Sequence, residues 1–76
     1  MIDVRLYAAL SRITGSGPAE FMVQPRLGLR VRDVVTEAGI RAEDVAIIMI
    51  NGHAASLDSA LSDIDRLGLF PAGSGG

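Results

Sequence analysis

Few residues of this 76-residue chain have the type and spacing that chemistry requires. There is no cysteine, so disulfides, thiolate metal sites and cysteine nucleophiles are excluded, and any sulfur chemistry must use another atom of the chain. The single histidine, His53, follows a turn and has no second ligand at metal spacing, so it reads as an exposed strand residue rather than a metal ligand or general base. Asp63 and Asp65 stand two apart before a strand. Such a pair is suited to acid–base work, but loop acids of this kind are usually solvated turn formers. No hydrolase triad is available. The sequence given closes on Gly75-Gly76. A free α-carboxyl has a pKa of about 3.5, so at neutral pH it is a resonance-stabilised carboxylate, a poor electrophile that must be activated before it reacts.

The elements that must carry this terminus follow from periodicity. Ile2, Val4 and Leu6 alternate with Asp3, Arg5 and Tyr7, which predicts a strand over 2–7 with one buried face. Residues 8–14 favour a short helical turn, and Gly15-Ser16-Gly17-Pro18 stops it. Phe21 and Val23 share a face in a second strand near 19–24, before Pro25. Val31, Val34, Val35 and Ala38 fall at i, i+3, i+4 and i+7, one apolar stripe of a helix that Gly39 ends in a left-handed cap, with Ile40 folding back onto the last turn. Arg30 stands where a capping serine or aspartate is preferred, and Asp33 suits the positive end of the helix dipole.

The run Val45-Ala46-Ile47-Ile48-Met49-Ile50 reads as a central strand buried on both faces. Asn51-Gly52 predicts a tight turn into a short strand over 53–56. A loop with Leu57, Leu61 and Ile64 leads to a last strand over 66–70, broken by Pro71. Strand, strand, helix, strand, short strand, strand in so short a chain implies an α+β roll, one mixed sheet with the helix across a face.

A chain of this length forms one domain, whose folding buries only about 60–65% of its surface. Although 49% of the residues are apolar, no uninterrupted run approaches the roughly 20 needed to span a bilayer, so no membrane segment is expected. The N-terminus lacks a basic region followed by an apolar block, which makes cytoplasmic residence the default. The net charge is −2 and the seven basic residues, all arginine, are scattered. That is not the footprint of a nucleic-acid binder, and a compositional preference for arginine is the simplest account of the missing lysine.

Val4-Arg5-Leu6-Tyr7-Ala8-Ala9-Leu10, then Ile50-Asn51-Gly52, then residues 61–71 and the terminal Gly75-Gly76 together resemble the MoaD/ThiS family over essentially the whole chain. The Phe70-Pro71 pair and the Leu10–Gly15 segment are more similar to the molybdopterin synthase small subunit than to the thiamine-pathway carrier. The resemblance implies the β-grasp fold of ubiquitin, a mixed sheet of four to five strands with one main helix, the first and last strands adjacent and parallel at its middle. It implies a β-grasp domain over 1–71 and a flexible tail over 72–76. Where the family commonly has Asp-Gly-Asp and a second proline, this chain has Asp63-Ile64-Asp65 and Pro71-Ala72. Isoleucine resists the positive φ that glycine allows, so the turn is expected to differ.

The function implied is that of a sulfur carrier, a non-enzymatic co-substrate with no bound cofactor. An E1-like adenylating enzyme (MoeB/ThiF-like) spends ATP to make an acyl-adenylate at Gly76, and a sulfur donor protein converts it to a thiocarboxylate. The sulfur then serves a large, MoaE-like molybdopterin synthase subunit; the alternatives are the thiamine pathway or another sulfur-carrier pathway, and a ubiquitin-like modifier conjugated through Gly76. Residues 72–76 reach up to about 17 Å when extended, and glycine leaves the path of the tail unobstructed. The resemblance places Tyr7, Leu61, Phe70 and Pro71 near one exposed patch that binds the partner, while ordinary core packing is the competing account of these residues.

Overall fold

A computed structural model describes residues 1–8, 10 and 19–71. Five strands form one mixed sheet: β1 (Ile2–Leu6), β2 (Glu20–Val23), β3 (Val45–Ile50), β4 (His53–Ala55) and β5 (Arg66–Pro71), in the order β2-β1-β5-β3-β4. Between β2 and β3 lie a helix, α1 (Val31–Glu37), and a 3₁₀ turn (Ala42–Asp44). β1 and β5 pair in parallel, with Asp3 opposite Arg66 and Leu6 opposite Leu69, and the remaining pairs are antiparallel. The last strand thus occupies the middle of the sheet beside the first.

Alternation divides the sheet into two faces. Ile2, Val4 and Leu6 of β1 and Leu67 and Leu69 of β5 are buried, and they meet Val31, Val34 and Val35 of α1 in one core with Leu10, Leu29, Ile40 and Ile48. Helix start and stop differ in how much the helix supplies for itself. At the C-terminus, Gly39 takes φ 78°, its N–H donates to the Thr36 carbonyl, and the Ile40 N–H donates to the Val35 carbonyl. This is the double bond pattern that satisfies the last carbonyls and returns Ile40 to the core.

At the N-terminus Arg30 has no acceptor to offer, and Asp33 Oδ2 accepts from the Arg30 N–H at 2.9 Å. The orphan N–H groups of Val31 and Arg32 instead donate to the carbonyls of Ser59 and Leu57, at 3.0 and 2.8 Å. The loop before β5 therefore caps the helix. Arg32 and Arg30 tie it further, to the Asp58 carboxylate and carbonyl.

The structure corrects several sequence expectations. β1 and β2 are each trimmed at their ends, β4 stops at Ala55, and Pro71, expected to break β5, is its final residue opposite Val45. A strand's last position needs no N–H for the ladder, so proline is tolerated there. β3 is an interior strand, between β5 and β4, but it is not buried on both faces: Ile47 is 54% exposed, and only Ile48 is buried. A register irregularity between Val45 and Ile47 adds a kink. The helical turn expected over 8–14 and the Gly-Pro stop, apart from Ala8 and Leu10, lie outside the described residues, as does the tail over 72–76.

Candidate functional site

On the sheet face away from α1, the residues that alternate with the core ones form an open groove of about 580 Å³. Its lining includes Arg5, Tyr7, Met49, Arg66, Gly68 and Phe70, and it reaches the Asn51-Gly52 turn. Tyr7 follows β1 and keeps its ladder, donating its N–H to the Leu69 carbonyl at 3.0 Å. Phe70 sits near the end of the neighbouring β5. Their rings stack in parallel, centroids 4.4 Å apart with 3° between the planes. A pair of this geometry contributes about 0.5–1.5 kcal/mol beyond its area.

Gly68 makes the floor. A methyl group built there would lie 3.3 Å from Tyr7 Cε2 and 3.6 Å from Phe70 Cε1, so any larger residue would enter the space beside the stack. Tyr7 remains 41% exposed, and Ile47, across from Phe70, extends the apolar surface. Two aromatic rings and aliphatic neighbours around a bare backbone strip form a surface that favours docking over catalysis.

The polar frame of the groove is built by the two turns that precede β4 and β5. Asn51, at φ 53°, and Gly52, at φ 81°, form the turn that their types predict. The Asn51 side chain also reaches into the other loop: Nδ2 donates to Asp65 Oδ1 at 2.9 Å, and Oδ1 accepts from the Arg66 N–H at 3.0 Å. Asp65 Oδ2 accepts from the Ser62 N–H at 2.8 Å. Asp63 instead meets the Met1 ammonium, which holds its carboxyl below the usual aspartate range, and accepts from the Ile64 N–H. The two carboxylates are thus turned to separate partners, Asp65 to Asn51 and Ser62, and Asp63 to Met1 and Ile64. Ile64 adopts φ 66°, in the left-handed region where the family pattern has glycine, with its side chain 82% exposed.

Of the residues expected at the partner surface, Tyr7 and Phe70 are brought together, and Pro71 follows half-buried at the end of β5. Leu61 is not with them. At 6% exposure it belongs to the core, its N–H bonded to the Leu29 carbonyl, because the loop that caps α1 carries it inward. Gly75 and Gly76 lie outside the described residues. His53 is exposed on β4, with Nδ1 3.1 Å from the Asn51 carbonyl, and no group of three or more His, Cys, Asp or Glu suited to a metal gathers among the described residues. Arg66, Gly68 and Met49 were not singled out from the sequence. The period of two through Arg66, Gly68 and Phe70, and a glycine inside a strand, were the signals available.

A five-stranded mixed sheet with parallel first and last strands and one helix across it defines a ubiquitin-like β-grasp domain. Residues 4–76 match the model of the ThiS family, and the chain belongs to that family of ubiquitin-like sulfur carriers. The fold is similar to that of a putative molybdopterin converting factor subunit 1 from Pyrococcus furiosus, at 27% identity and TM-score 0.72 over 92% of this chain and 94% of that one. It is also similar to SAMP1 from Haloferax volcanii, at 26% identity and TM-score 0.73 over 99% and 98%. A complex of subunits 1 and 2 of the molybdopterin-converting factor from Helicobacter pylori shares the fold, at 23% identity and TM-score 0.61 over 99% and 97%. No curated protein matches the chain. No helix among the described residues is long and apolar enough to cross a membrane.

Proposed function

We propose that the chain carries sulfur on Gly76 for molybdopterin formation. An adenylating enzyme joins the Gly76 carboxylate to the AMP moiety of ATP, releasing pyrophosphate. A sulfur donor then displaces AMP, leaving a thiocarboxylate whose sulfur passes to an acceptor on a larger partner subunit. The family match that runs through residue 76 carries this reading. Two further observations support it: the likeness to a molybdopterin converting factor subunit 1, and an open aromatic face on the strand that leads into the tail. In this reading the domain docks through Tyr7 and Phe70 and offers its terminus, while the chemistry belongs to its partners.

A second reading, conjugation of Gly76 to amino groups of other proteins, is supported by the likeness to SAMP1. The docking claim is tested by ATP–pyrophosphate exchange with the adenylating enzyme from the same cells. Deleting Gly76 abolishes exchange, and Phe70→Ala raises the concentration needed for half-maximal exchange by about tenfold or more while the domain stays folded. Unchanged exchange after deletion removes the terminal chemistry. An unchanged requirement in folded Phe70→Ala removes the aromatic face as the dock.

A further inference from the structure

Among the described residues, the arginines are, with one exception, already matched. Arg5 meets Asp3 and Glu20, Arg26 meets Glu37, Arg32 meets Asp58, Arg41 meets Glu43, and Arg30 donates to the Asp58 carbonyl. The Arg66 guanidinium has no carboxylate or carbonyl partner among the described residues. Asp3 is its cross-strand neighbour on β1, but the Asp3 carboxylate is turned to Arg5. Arg66 is exposed, lines the groove, and stands two residues from the Gly68 floor, about 7 Å along β5. Its backbone is fixed on both sides, the N–H by Asn51 Oδ1 and the carbonyl by the Asn51 N–H at 2.9 Å.

We propose that Arg66 is a specificity-determining contact: the protein that docks on the Tyr7–Phe70 face presents a carboxylate to it, beside an aliphatic side chain seated over Gly68. This rests on the reading that the aromatic face is the dock. A partner that covers the rings and the glycine floor also covers the rim on which Arg66 stands. Removing a guanidinium from water without an anionic partner is strongly unfavourable. The groove lining contains two arginines and no acid, and the Arg5 charge is balanced within the domain. The complementary surface is therefore acidic at one defined place, and Arg suits a planar, two-pronged carboxylate contact.

The test is the affinity of the full chain for the adenylating enzyme from the same cells, measured at low and at physiological salt for wild type, Arg66→Gln, Arg66→Glu and Phe70→Ala. Wild-type binding weakens as salt rises. Arg66→Gln binds at least tenfold more weakly at low salt with a flattened salt dependence, and Arg66→Glu more weakly still, with thermal unfolding unchanged in both because the side chain is exposed. Replacing the opposing partner acid by arginine restores binding to Arg66→Glu. Wild-type affinity in Arg66→Glu, with Phe70→Ala impaired, overturns the carboxylate contact and leaves the dock standing. Wild-type affinity in both variants overturns the dock as well.

Discussion

Ile64 is the residue whose replacement tests the loop geometry most sharply. It is β-branched, it sits at φ 66°, and its side chain is 82% exposed. An L-residue in the left-handed region costs about 1–2 kcal/mol, and β-branching makes isoleucine a poor occupant. The roughly one-fifth of the side chain that is covered returns at most about 0.5 kcal/mol, taking full burial of isoleucine as about 1.5–3 kcal/mol. Asparagine tolerates this conformation, and the backbone N–H bonds from residue 64 to the Met1 carbonyl and Asp63 Oδ1 do not depend on the side chain.

Ile64→Asn is therefore expected to stabilise the domain by about 1 kcal/mol, which for a chain of this size raises Tm by roughly 4–8 °C. Ile64→Gly gains less, because glycine adds about 0.5–1 kcal/mol of freedom to the unfolded chain. Thermal unfolding followed by circular dichroism, with urea titration as a check, measures both. An Ile64→Asn protein no more stable than wild type would show either that the backbone there is not strained or that the exposed side chain makes contacts that matter.

Two further substitutions and a titration follow from the same structure. Leu61→Ala is expected to lower stability by about 2–4 kcal/mol in urea titration because its side chain is buried in the core, whereas an interface residue would leave stability nearly intact. Hydrogen bonds with Arg32 and Arg41 hold the Asp58 and Glu43 carboxyls below their usual ranges. A depressed folded-state pKa stabilises above the unfolded value and loses that contribution as pH falls through the folded one. The urea midpoint should accordingly be level from neutrality to about pH 5 and decline below about pH 4. Asp58→Asn should make that decline shallower, by a small amount because the pair is exposed.

Much of the frame was legible because it is written in local periods. Alternation marked β1, the apolar stripe marked α1, and Gly39-Ile40 marked its end. The adjacency of β1 and β5 came through the family resemblance, since two strands far apart in sequence leave no local trace of their pairing. β3 was misread because a β-branched run shows that a strand is apolar, not which of its faces is covered. Leu61 was misplaced for a similar reason. An isolated leucine in a loop carries no period, and only the capping of α1 by residues 57–59 reveals that the loop turns it inward. Tyr7 and Phe70 came through the family resemblance, but their stacking depends on the register between two strands, and Arg66 gained meaning only once the other described arginines were seen to be matched.

The central claim is that the final carbonyl of the chain is a reagent that the folded body delivers. Intact-mass spectrometry after incubation with the adenylating enzyme, ATP and a sulfur donor tests it most directly. The carrier account predicts a gain equal to the replacement of one oxygen by sulfur, confined to the terminal peptide and absent when Gly76 is deleted. An unchanged mass in the presence of an adenylating enzyme active on its own carrier would contradict it.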